Sequence, residues 1–101
     1  MIVAFDVDGT LISEADDSPR VEIIDLLVKH HNDGDTVVVW SGGGVDYAQR
    51  WVFRLKLSGY VDEFWSKGRG RVKPDLTYDD MVINLGAENV CVGTGDGEER
   101  W

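Results

Sequence analysis

Two carboxylates stand one residue apart at the end of a short apolar run, Ile2-Val3-Ala4-Phe5-Asp6-Val7-Asp8-Gly9-Thr10. A run of this length and composition reads as a buried strand. Side chains alternate along a strand, so Asp6 and Asp8 are expected to leave its end on one side. Crowded carboxylates repel each other, and burying them is costly without a cation or a catalytic role. Average residue usage would yield Asp-x-Asp-Gly-Thr by accident in roughly one chain in a thousand of this length.

Three further places carry residues suited to the same chemistry. Ser41 ends a second apolar run, Thr36-Val37-Val38-Val39-Trp40, and precedes Gly42-Gly43-Gly44 and a helical stretch. A hydroxyl, loop amides and a helix start together make a cradle for an anion such as phosphate. Lys73, in Val72-Lys73-Pro74-Asp75, precedes another expected strand. Asp79 and Asp80 follow Asp75-Leu76-Thr77-Tyr78 directly, so carboxylates again emerge from a strand end. In parallel α/β sheets such ends line one crevice. Carboxylates meeting there call for a hard divalent cation, and Mg²⁺ suits oxygen ligands and phosphate oxygens.

The elements that must position these groups alternate between strand and helix. Ser18-Pro19 reads as a helix start, and Val21, Ile24, Leu27 and Val28 recur at helical spacing up to a stop at Gly34. His30 and His31 fall in the last turn of that helix, where a cation is favoured near the carbonyl end. A second helix is expected from about Val45 to Leu57, with Ala48, Trp51, Val52 and Leu55 inward. Short strands are expected at Val61–Trp65, Asp75–Tyr78 and Asn89–Val92. This alternation implies a mostly parallel sheet of about five strands flanked by helices. Trp40 and Trp51 sit on core faces and read as packing.

The bulk composition narrows the class. At 101 residues, residues 1–101 form one domain with a modest core. A formal charge of −9 argues against extended nucleic-acid binding or an anionic membrane surface. No stretch approaches a membrane span, and no secretory pattern opens the chain. Cys91 is the single cysteine, so no internal disulfide is expected; within Val90-Cys91-Val92 it reads as a small buried hydrophobe. A cytoplasmic setting is the resulting expectation.

Taken in order, Asp6-Val7-Asp8-Gly9-Thr10, Ser41, Lys73 and Asp79-Asp80 resemble the four motifs of the haloacid dehalogenase (HAD) superfamily of phosphatases and phosphotransferases. The resemblance runs from Ile2 to Val92 and implies a Rossmann-like core. Neither the stretch after Thr10 nor the segment 42–72 has room for an inserted cap, so the layout is similar to compact, capless phosphatase domains of the phage and polynucleotide-kinase type. By this resemblance Asp6 is the nucleophile of an aspartyl-phosphate mechanism and Asp8 the general acid/base. Ser41, the Gly42 amide and Lys73 bind and neutralise the phosphoryl group. Asp6, Asp8, Asp79 and Asp80 hold Mg²⁺, Asp8 through its backbone carbonyl. Related ATPases usually carry Thr in place of Asp8, which favours a phosphatase.

Alternatives exist at two levels. Asp96, after the run Asn89–Val92 and Gly93-Thr94-Gly95, is a rival fourth motif; Asp79-Asp80 is preferred for its spacing from Lys73. A HAD-fold protein without catalysis, binding only a metal or a partner, is the alternative function. A receiver-type phospho-acceptor domain is rejected by motif order. The basic stretch Lys67, Arg69, Arg71 and Lys73 could grip a second phosphate or a nucleic-acid end. The substrate class is therefore a phosphorylated small molecule or nucleic-acid end, and an oligomer could lend a cap to the open cleft.

Overall fold

In the computed structural model, which describes residues 1–69 and 72–93, the strands form one parallel sheet in the order β3-β2-β1-β4-β5. The strands are β1 (Ile2–Asp6), β2 (Thr36–Ser41), β3 (Glu63–Ser66), β4 (Leu76–Asp79) and β5 (Glu88–Cys91). Helix α1 (Val21–Asn32) connects β1 to β2, and α2 (Val45–Arg54) with a short 3₁₀ turn at Ser58–Tyr60 connects β2 to β3. The expected α/β class and parallel sheet are thus observed.

Alternation along the strands sorts the core into two layers. Val3, Phe5, Val37, Val39 and Tyr78 share a cluster with Ile23 and Leu27 of α1 and Ala48 and Val52 of α2. The opposite face carries Ala4, Val38 and Trp40, covered by Ile2, Trp65 and Ile83. Strand β2 is buried on both faces, as its unbroken apolar run requires. Trp40 is a core residue packed 6.1 Å from the Trp65 ring, and Trp51 is half-buried under the Arg54 guanidinium.

Several boundaries differ from the sequence expectation. Helix α1 begins at Val21, because the Ser18 carbonyl accepts from Ser13 N–H and Pro19 bridges antiparallel to Ile12. That pairing holds Ser18-Pro19 extended and moves the helix start past Arg20. Helix α2 stops at Arg54, and β3 to β5 each lie within about a residue or two of their expected places. Cys91 is exposed: among the described residues β5 pairs only with β4 and stands at the edge of the sheet. His30 bonds Asp35 at 2.8 Å and the Tyr78 hydroxyl at 3.0 Å, and His31 packs edge-on to Tyr60, so both serve the scaffold. Among the described residues, 7–20 hold only turns and isolated bridges, and no helix is long and apolar enough to cross a membrane. Asp96, Arg71 and Trp101 lie outside the described residues.

Candidate active site

Parallel strands point the same way, so their C-terminal ends meet along one edge of the sheet. Asp6 ends β1, Ser41 ends β2, Asp79 ends β4, and Asp80 follows it. In the ladder, Phe5 pairs with Tyr78, which sets Asp6 beside Asp79 on the same face. One carboxylate oxygen from each of Asp6, Asp79 and Asp80 lies within 4.8 Å of the others. Asp6 and Asp79 are buried, at 5% and 0% exposure, and Asp80 is half-buried.

A cation already faces this cluster. The Lys67 ammonium lies 2.7 Å from Oδ2 of Asp79 and 3.5 Å from Oδ1 of Asp6. Lys67 follows β3 directly, its N–H donating to the Ser41 carbonyl at 3.0 Å, so it stands at the same sheet edge. Its partner acids outweigh its desolvation. Burial alone would lower the ammonium pKa, but the Asp79 bond and the charges of Asp6 and Asp79 leave it raised.

Lys73, by contrast, is exposed and precedes β4, where Asp75 N–H donates to the Ile2 carbonyl at the start of β1. A residue before a parallel strand stands at the opposite edge of the sheet. The expected phosphate-neutralising role of Lys73 is therefore not supported by its place; Lys67 is the lysine that faces the carboxylates among the described residues. Among the described residues of the basic stretch, Lys67 reaches the carboxylates, and Arg69 is exposed.

Asp8 stands apart from the three-carboxylate cluster. Strand β1 ends at Asp6, and the Val7 carbonyl then accepts from the N–H groups of Thr10, Leu11 and Ile12. The alternation expected to carry Asp8 to the side of Asp6 stops at that tight turn. The Asp8 carboxylate instead accepts from the Tyr47 hydroxyl at 2.7 Å, which fixes its direction from the first turn of α2. Burial and this carboxylate partner raise the Tyr47 hydroxyl pKa, keeping it a donor.

Ser41 is buried at 2% exposure, and its Oγ accepts from Gly43 N–H at 2.9 Å. Gly42 is exposed, with open space where a Cβ would stand, so its amide can be approached. Gly44 caps α2 with φ 99°, a backbone that only glycine adopts readily, and the loop turns there into the helix.

Gly9 meets a double demand. Its φ is 79°, and a Cβ would collide with the Asp80 carboxylate. Gly9→Ala is expected to cost ~2 kcal/mol of stability and to weaken divalent-cation affinity about tenfold, through displacement of Asp80. Urea melts and calorimetric Mg²⁺ titration of the variant read the two effects separately.

One positioning residue was missed in the sequence. Arg20 is 8% exposed and donates from Nη1 to the carbonyls of Gly9 and Gly93, both at 2.6 Å, and from Nη2 to Val92 at 3.3 Å. It ties the loop after Asp8 to the end of β5. Arg20→Ala should cost ~2–4 kcal/mol by leaving buried carbonyls unpaired. Arg20→Lys should recover only part of that, because an ammonium cannot form the fork.

The carboxylate cluster also sets a pH dependence for the metal-free protein. Burial first, then the charge of Asp79, pushes Asp6 up from 3.8 to about 7. Asp80 is raised for the same kinds of reason. A folded pKa above the unfolded one means stability that is whole below the unfolded pKa and is lost as pH rises through the folded one. Asp35 acts oppositely: hydrogen bonds from His30 and the Met1 amino group lower its pKa, so its contribution disappears as pH falls through that lowered value. Metal-free stability should therefore be greatest near about pH 5 and fall toward about pH 8. Millimolar Mg²⁺ should raise Tm far more at the higher pH, since it binds ionised carboxylates. A metal-free Tm higher at pH 8 than at pH 5 contradicts this.

Comparison of the chain with protein-family models, with curated proteins and with solved structures finds no match.

Proposed function

We propose that this chain is a Mg²⁺-dependent phosphomonoester hydrolase of the HAD type, capless, working through an aspartyl-phosphate on Asp6. The observation that carries the reading is the convergence of Asp6, Asp79, Asp80 and the Lys67 ammonium at the sheet edge where Ser41 also ends its strand. A buried carboxylate beside a lysine and a hydroxyl-glycine loop is what in-line phosphoryl transfer requires: a nucleophile, charge neutralisation and amide donors.

The donor set fits Mg²⁺. All three groups are hard carboxylate oxygens, and their 4.8 Å spread is slightly wider than the roughly 4.2 Å across an octahedral Mg²⁺ shell. Asp6, Asp79 and Asp80 would hold the ion, and the ion would draw charge from the phosphate oxygens.

The chain's own groups supply the remaining steps. An Asp6 oxygen attacks phosphorus as the bond to the leaving oxygen breaks. Asp8, aimed by Tyr47, gives that oxygen a proton. Asp8 then takes a proton from a water that attacks phosphorus, the Asp6–phosphorus bond breaks, and phosphate departs. Lys67, the Ser41 hydroxyl and the Gly42 amide stabilise charge on the equatorial oxygens.

The test is hydrolysis of an aryl phosphate with Mg²⁺ and with EDTA, over a panel of phosphomonoesters. Mg²⁺-dependent release of phosphate is expected. A folded protein inert toward the whole panel overturns the proposal.

A further inference from the structure

Helix α2 carries Tyr47, Arg50, Trp51 and Arg54 at positions i, i+3, i+4 and i+7, a single helical face. Together they line a groove of about 260 Å³. That volume is near the small end for ligand pockets, the size of a subsite rather than of a whole ligand site. The Arg54 guanidinium lies 5.1 Å from the Trp51 ring centroid. Arg50 and Arg54 also border a second concavity beside Phe53, whose ring is 77% exposed.

Charge makes this face unusual for the chain. The formal balance is −9, yet no ion pair among the described residues engages Arg50 or Arg54. Asp46 borders the second concavity but not the groove itself. Two guanidiniums without an ion pair among the described residues, interleaved with aromatic rings, suit an anionic ligand with a flat ring system. Arginine forks match phosphate, and rings stack on Trp and Tyr faces.

The groove is joined to the proposed reaction centre through Tyr47, whose hydroxyl holds Asp8 at 2.7 Å. Asp8 protonates the leaving oxygen, so the alcohol half of the substrate lies on the Asp8 side. From there the face of α2 leads away past Tyr47 to Arg50, Trp51 and Arg54.

We propose that this groove binds the leaving group, and that the substrate is a phosphomonoester whose alcohol half carries both a flat ring and a second anionic group. A nucleoside bisphosphate and the phosphorylated end of a short oligonucleotide share that chemistry. The inference rests on the hydrolase reading for its direction, but its test does not need turnover.

Calorimetric titration of the metal-free Asp6→Asn protein compares adenosine 3′,5′-bisphosphate with adenosine 5′-monophosphate. The bisphosphate should bind about tenfold more tightly, the worth of a charge-assisted phosphate contact at a solvated site. The Arg50→Ala/Arg54→Ala double variant should erase that margin; both side chains are exposed, so its folding is not at stake. Equal affinities for the two ligands, or a margin that survives the double substitution, overturns the groove proposal. A margin in the Asp6→Asn protein together with a parent protein that hydrolyses no phosphomonoester overturns the hydrolase reading and leaves the subsite standing. A dinucleotide bearing a 5′-phosphate separates the two sources: tighter binding than the bisphosphate assigns the groove to an oligonucleotide end, weaker binding to a free nucleotide.

Discussion

Asp6→Asn should lower phosphomonoester turnover by roughly 10⁴-fold or more while leaving the fold intact. Asparagine has nearly the shape of aspartate, so the packing at the end of β1 survives, but its amide does not attack phosphorus. The same change removes a buried charge that is costly in the metal-free protein. Burial and the Asp79 charge raise Asp6 to about 7, so the aspartate is a burden above neutrality. Metal-free Asp6→Asn should therefore melt at a higher temperature than the parent at about pH 8, and should lose most of the Mg²⁺-induced rise in Tm. Activity falls while metal-free stability rises. This opposition in sign separates loss of a nucleophile from misfolding, which would lower both.

Lys67→Ala and Lys73→Ala should diverge sharply. Lys67 lies 2.7 Å from Asp79 and 3.5 Å from Asp6, where the proposed phosphoryl transfer would develop charge, and its loss should reduce kcat by about 10²–10³-fold. Without Mg²⁺ the variant should also be less stable, since a buried carboxylate loses its cation. Lys73 is exposed at the other edge of the sheet, and its removal should change kcat by less than about twofold, as for surface charges generally. Steady-state kinetics at saturating aryl phosphate checks both. A large effect at Lys73 with none at Lys67 would reverse the assignment.

The contrast between those lysines marks how far the sequence could be read. The strands were legible because apolar runs such as Thr36–Trp40 have no other use in a short chain. The parallel pairing of the first three strands followed from the two intervening helical periods, whereas β4 and β5 join the sheet with no helical crossover among the described residues. Asp6, Ser41, Asp79 and Asp80 were legible because each ends or follows such a run. Lys73 stands out by motif order and by its place before an expected strand, and that place is what sets it at the wrong edge of the sheet. The rule that located the acids, that functional groups follow strands, would have selected Lys67, which comes directly after β3.

Other features depended on tertiary placement and had no local signal. The direction of Asp8 is set by a turn on the Val7 carbonyl and by Tyr47 from a distant helix. Arg20 reads as a surface charge before a helix, yet it is buried because two loop carbonyls and the end of β5 need its fork. Cys91 sits in an apolar triplet that resembles a core strand, but its strand falls at the sheet edge and its thiol is exposed.

The central claim is covalent phosphoryl transfer to Asp6. Its most direct measurement is acid quench of the protein during turnover with Mg²⁺ and a phosphomonoester, followed by borohydride reduction and peptide mass spectrometry. An aspartyl-phosphate mechanism predicts conversion of Asp6 to homoserine, dependent on substrate and absent without Mg²⁺. Rapid turnover with no trapped product at Asp6, or with the label on another carboxylate, contradicts it.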